Sequence, residues 1–252
     1  MSILADPATL AVLIIAVVLV GMAKGGLAGV GALATPLVAL VLPPATAAAI
    51  LLPILIVQDV ISVWSFRHTW DGWIIGWMLP GAAAGIAAGW YYAERVNEGQ
   101  LMMALGAITL AFGVYRLWVE RGGRIVAPST SPGWVGTIFG GIMGLTSQIA
   151  HAGGPPFQMW VTPRKLPHLT FIGTSAILFA IVNWMKVPAY LALGAFPHEV
   201  IIAALLLMPL AIVSTLVTVR WMKRMNPARF YVLIYVLMVL LGAKLLWDGV
   251  SA

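Results

Sequence analysis

The chain reads as an all-α integral membrane protein built from two inverted-topology repeats, each with a broken, re-entrant first helical element followed by three transmembrane helices. Three observations predict this. Of the 252 residues, 62% are hydrophobic and only 9% charged, with a mean hydropathy of +1.00. A soluble domain carries roughly 25% charged residues, so this chain could not cover its own surface in water, and lipid must be its main solvent. Apolar runs near the length of about 20 residues that a membrane-spanning helix needs fill almost the whole sequence. Finally, the second half echoes the first.

The first apolar stretch covers residues 8–42 and is interrupted by Met22-Ala23-Lys24-Gly25-Gly26. Residues 8–22 make about 22 Å of helix at ~1.5 Å per residue, short of a hydrocarbon core about 30 Å thick. Two short helices meeting at a glycine-rich break are therefore expected to enter and return on one side. Irregular backbone at that depth must be buried in protein or line a cavity, because lipid cannot satisfy its N–H and C=O groups. Runs over residues 45–64, 73–92 and 101–118 follow, the first two closed by Arg67-His68 and Glu94-Arg95. The polar segment 120–132, with Arg121, Arg124 and Pro128, is expected to be a cytoplasmic linker. It divides a first repeat, 1–119, from a second, 133–252. Residues 134–146, the break at Gly153-Gly154-Pro155-Pro156 and a short piece after it repeat the broken element, and three more spans complete the chain.

The echo is sparse but ordered. Gly21 and Pro36 match Gly141 and Pro156 at a spacing of 120 residues. Leu42-Pro43, Thr46 and Asp59 match Leu166-Pro167, Thr170 and Asn183 at 124, and Pro80, Asn97, Gly113 and Trp118 match Pro209, Asn226, Gly242 and Trp247 at 129. Such internal symmetry is common in secondary carriers. Charge then selects the topology. If all eight elements crossed fully, Arg95, Arg164, Lys165, Arg220, Lys223, Arg224 and Arg229 would lie outside, against the positive-inside rule. With re-entrant first elements, Arg67, Arg116, Arg121, Arg124, Arg164, Lys165, Arg220, Lys223, Arg224 and Arg229 fall inside. Only Arg95, Lys186 and Lys244 fall outside, Lys24 stays in the membrane, and both termini are expected outside, near Asp6 and Asp248. Tryptophans such as Trp64, Trp73 and Trp247 flank the runs as an interfacial belt. No basic n-region precedes the first run, so no cleaved leader is expected.

Several chemistries lack their residues. There is no cysteine, which removes disulfides, thiolate metal sites and cysteine nucleophiles. No paired-carboxylate site, His-x-x-x-His zinc spacing, Walker loop or nucleophile elbow is present. No enzyme activity, metal or cofactor is therefore expected. The net charge of +6 sits at span ends, not on a basic face with interleaved aromatics, so nucleic acid is not an expected partner.

The two breaks carry the candidate site. In the first, glycines expose backbone N–H groups, and Lys24 adds a full positive charge where a helix start would also favour an anion. The second reads Thr146-Ser147-Gln148-Ile149-Ala150-His151-Ala152-Gly153-Gly154-Pro155-Pro156. Lys24, Gly25, Gly26, Ser147, Gln148, His151, Gly153 and Gly154 are the candidate substrate contacts, meeting near the bilayer centre. The glycines could instead serve helix packing, Lys24 could snorkel to an interface, and Ser147 and Gln148 could bond neighbouring helices. Asp59 interrupts an apolar run, and an intramembrane carboxylate is expensive and points to function. Asp59 and His151 are candidates for a coupling proton, Asp59 alternatively as a partner of Lys24 or as a residue near the cytoplasmic interface.

At these breaks the chain resembles the TauE/SafE family of sulfite and organosulfonate exporters. The resemblance rests on residues 21–36, the weaker echo over 141–156, and the duplicated layout, and it covers essentially the whole chain. The second break departs from the glycine-rich family pattern at Ser147-Gln148-Ile149-Ala150-His151. The resemblance implies a multi-pass carrier of the bacterial inner membrane that exports small sulfur-containing anions such as sulfite or sulfoacetate. Protons are an optional coupling ion, and a homodimer is compatible with the sequence. Two other readings share these features: an anion or small-solute channel, which would show unsaturable flux, and a non-transporting scaffold or assembly factor, which would copurify with a stable partner.

Overall fold

The structure, a computed structural model, describes residues 5–27, 29–123, 130–221 and 228–251. Arg124, Pro128, Lys223, Arg224, Asn226 and the Arg229 side chain, all invoked above, lie outside the described residues.

The chain is helical wherever its pattern is apolar: α1 (Pro7–Lys24), α2 (Ala34–Val38), α3 (Pro44–Phe66), α4 (Gly72–Ala93), α5 (Glu98–Glu120), α6 (Gly133–Ala150), α7 (Gly154–Val161), α8 (His168–Ala192), α9 (His198–Trp221) and α10 (Ala228–Ser251). Short 3-10 turns at Val30–Leu33 and Thr162–Arg164 adjoin α2 and α7. No strand occurs among the described residues. Polar residues set several starts. The Asp6 carboxylate accepts from the Ala8 and Thr9 N–H groups, Asp71 does the same for Trp73 and Ile74, and Asn97 and Gln100 form a reciprocal capping box on α5. Each such cap is worth about 1 kcal/mol. Among the described residues seven helices, α1, α3, α4, α5, α8, α9 and α10, are long and apolar enough to cross a membrane. α6 is not among them, because glycines and the polar Thr146-Ser147-Gln148 run dilute its apolar character.

The first element differs in length from the expectation. α1 has 18 residues, about 27 Å of helix, and is long and apolar enough to cross a membrane. The chain that follows packs back along it. Beyond the break, Gly31 returns against Ala23, and Val12 and Leu13 of α1 share a core with Val38 and Leu42. The second element closes more tightly. The Trp160 ring lies against Gly136, its indole N–H donates to the Ser131 hydroxyl at 3.0 Å, and the Arg164 guanidinium donates to the Ser131 carbonyl at 2.6 Å. The two ends of this segment therefore lie side by side.

Four helix pairs build the body. α4 and α6 run parallel with backbones almost touching: a Cβ on Gly81 would sit 1.8 Å from the Thr137 carbonyl oxygen, and one on Gly144 2.2 Å from that of Ala82. α1 and α9 also run parallel, with Gly21 and Gly25 against Ser214 and Thr218. α5 and α10 are antiparallel, Gly106 meeting Gly242 and Gly113 meeting Tyr235. α3 and α8 are antiparallel as well: Asp59 bonds Asn183, while Thr69, just past α3, bonds the Leu169 carbonyl at 3.3 Å. Small residues at such contacts let helices gain close van der Waals packing, which is what holds helices together in lipid. One end of the bundle gathers the basic residues, since Phe66, His68, Leu169 and Arg220 line one cleft and Arg67, Arg164 and Lys165 lie within a few residues of it. Arg95 follows the far end of α4.

Candidate functional site

Lys24 ends α1 and turns its ammonium onto the Asp59 carboxylate. Asp59 is 1% exposed and lies inside the bundle. Its second oxygen accepts from the Asn183 amide at 2.6 Å. The Lys24 carbonyl accepts from the Ser62 hydroxyl at 2.8 Å, and the ammonium stands 5.4 Å from the centre of the Phe179 ring. A buried ion pair repays its desolvation only with good geometry and extra hydrogen bonds; here Asn183 supplies one. The snorkelling alternative for Lys24 does not describe this geometry.

The second break is organised by His151. α6 closes with the His151 N–H on the Ser147 carbonyl at 3.1 Å and the Ala152 N–H on that of Thr146 at 3.3 Å. His151 occupies the left-handed position of this closure, with φ +52°, where glycine is usual and another residue carries strain. Its Nε2 lies 2.9 Å from the Ala48 carbonyl and its Nδ1 2.7 Å from the Lys186 Nζ. A carbonyl only accepts and an ammonium only donates. The imidazole thus donates from Nε2–H to Ala48 and accepts at Nδ1 from Lys186. Lys186 also reaches the Ser147 carbonyl and hydroxyl, each at 3.2 Å. The Tyr190 hydroxyl donates to the Gln148 carbonyl at 3.0 Å, and its ring stacks on His151.

Between the breaks lies a cavity of about 90 Å³. One water needs roughly 10–15 Å³ on this scale, so the space suits several waters or one small oxyanion. Lys24, Ser147, His151 and Gly154 line it, joined by Thr35 and Gln158. The Thr35 hydroxyl is buried and has no hydrogen-bond partner, a state that normally calls for a ligand or water.

The other candidates stand elsewhere. Gly25 and Gly26 spend their N–H groups on the Gly21 and Ala23 carbonyls and do not line the cavity; Gly25 instead admits Thr218. Gly153 packs on Phe179 and Met143. Gln148 faces a second cavity. The N-terminus of α7 offers few donors, because Pro155 and Pro156 have no N–H. Nor do the breaks meet at one point. Their α3 partners, Asp59 and Ala48, are eleven residues apart, about 16 Å of helix, so the breaks bracket the cavity from opposite ends. Lys186, expected outside, is fully buried. Lys186 and Asn183 are site residues that sequence reasoning missed. The match of Asn183 to Asp59 was the available signal for the latter, and Lys186 lies the same 124 residues from Ser62, the side chain that holds the other break.

Span-length helices around a small cavity, with Lys24, Ser147 and His151 in a largely apolar wall, fit a membrane transport protein. The chain belongs to the sulfite exporter TauE/SafE family of membrane transporters, which it matches over residues 13–245, a stretch that includes both breaks. No match was found among curated proteins or solved structures.

Proposed function

We propose that this protein exports small sulfur-containing anions, such as sulfite, sulfoacetate or related organosulfonates, across a bacterial inner membrane by alternating access around the central cavity. The observation that carries the reading is the cavity wall: Lys24, whose ammonium is paired with Asp59, and Thr35, whose buried hydroxyl has no partner, belong to the lining of a space of about 90 Å³ shared by both breaks. A cation and a spare donor suit an oxyanion, and the volume suits a small one. Lys24, Ser147, His151, Gly154, Thr35 and Gln158 form the substrate site.

Inverted repeats supply the moving parts. Two features support them. The matched helices α3 and α8 run antiparallel, as do α5 and α10, while the α4–α6 pairing is repeated by α9 and α1 with the repeats exchanged. The Thr69–Leu169 bond also favours re-entrant first elements, because eight full crossings would hold Arg67 and Lys165 about 30 Å apart. The basic end is then cytoplasmic. Proton exchange through His151 or Asp59 is one motive force. Membrane potential is the other, favouring anion exit by about 2.3 kcal/mol per charge per 100 mV.

The test is efflux from proteoliposomes loaded with sulfite or sulfoacetate, with and without a pH gradient. Saturable efflux inhibited by other sulfonates is expected, and Lys24→Ala should lose most of it while remaining folded. Unsaturable flux would indicate a channel. No flux above empty liposomes over a broad anion panel would overturn the transport reading, and normal efflux by Lys24→Ala would remove that residue from the site.

A further inference from the structure

The central cavity has a neighbour. A second cavity, of about 380 Å³, opens among the start of α3, the end of α4, the end of α8 and the start of α9, lined by Ala48, Gln148, Tyr190 and Leu193 among others. This is the Arg95 end of the bundle. The two cavities share no lining residue. What separates them is one layer of side chains: His151 lines the central cavity, while its bonding partner Ala48 and its stacking partner Tyr190 line the other. The partition is therefore the His151–Ala48 contact, backed by the Tyr190–Gln148 bond.

One side chain hydrogen-bonds the His151 ring across this gap. Lys186 grips Nδ1 and, through Ser147, the last turn of α6. It is fully buried and does not line the central cavity. Among the described residues it has no carboxylate within ion-pair distance. Such a lysine would cost less stability as an apolar residue, and its three contacts converge on the partition.

We propose that Lys186 is a positioning residue that holds His151 as the barrier between the central cavity and the second cavity, which makes the second cavity the route by which the anion leaves. The inference rests on the transport reading. By fixing Nδ1 as acceptor, Lys186 directs the Nε2–H at Ala48 and locks the ring across the opening. Releasing His151 joins the cavities without moving a helix. Tyr190 acts on the same layer through the Gln148 carbonyl.

Because the chain has no cysteine, single thiols can report the barrier. Leu193→Cys in the second cavity identifies the side from which an impermeant thiol reagent enters it. Ser175→Cys, in the central cavity, reports passage across the partition, and Leu105→Cys, buried between α5 and α10, reports general loosening. With reagent on the Leu193 side and no substrate present, Lys186→Met should speed labelling of Ser175→Cys about tenfold, the scale of one lost hydrogen bond to a charged group. Labelling of Leu105→Cys should not change. Tyr190→Phe, a milder change, should act in the same direction if Lys186→Met fails to fold. Unchanged labelling of Ser175→Cys in the folded variant, or equal gains at Leu105→Cys, would overturn the proposal. The assay needs no anion flux, so its failure is distinct from failure of the transport reading.

Discussion

At the residue scale, the informative position is His151. A histidine at φ +52° sits where glycine would be less strained, and evolution of stability alone would favour glycine there. Its imidazole offsets this with the bonds to Ala48 and Lys186. The two contributions are separable. His151→Ala and His151→Gly both remove the ring, but only the second relieves the backbone. His151→Gly should be more stable than His151→Ala by about 1 kcal/mol, measured by thermal unfolding in detergent, and both should lose transport. Equal stabilities would mean that the left-handed conformation carries no strain. His151 stood out in the sequence as a polar residue in a break, but its backbone strain did not, because nothing local marks residue 151 as the closing position of α6. Lys186 escaped for a related reason. A basic residue shortly before Pro188 resembles a span end, yet α8 continues through that proline to Ala192, leaving the lysine six residues inside.

At the scale of elements, glycine placement divides helix contacts from lipid-facing surface. Gly81 and Gly76 share α4, but a Cβ at Gly81 meets the Thr137 carbonyl oxygen at 1.8 Å, whereas one at Gly76 meets nothing within 4 Å. Gly81→Ala should cost about 1–3 kcal/mol by forcing α4 and α6 apart and should lower the yield of folded protein. Gly76→Ala should be neutral or stabilising by up to ~1 kcal/mol. Yield and thermal midpoint of the two variants check this, and equal behaviour would remove the close contact as the basis of α4–α6 pairing. Sequence reading placed the helices well because apolar length is a local property. It assigned glycines of both breaks to the anion, whereas Gly25 and Gly153 serve packing, since which face of a glycine-rich segment meets a neighbour depends on the partner helix. The Ser131–Arg164 closure was equally out of reach, being a contact between the two ends of a 34-residue excursion.

At the scale of the whole molecule, the basic end and its opposite predict sidedness. Arg95→Cys should react with an impermeant reagent outside the cell, and Lys165→Cys should not. Both positions are exposed, so accessibility is limited only by the membrane. Reaction of both would reject re-entrant first elements, and reaction of Lys165→Cys alone would reverse the orientation. The internal match was legible from sparse prolines and asparagines, while its central consequence required three dimensions: Asp59 and Asn183, equivalent by spacing, touch each other. A residue that meets its own counterpart must tolerate itself. Two carboxylates in that contact would repel unless they shared a proton, so an amide at Asn183 leaves Asp59 a single acid beside Lys24. The cavity therefore has the Lys24–Asp59 ion pair at one end and the His151–Lys186 contact at the other, so its two ends are chemically unequal.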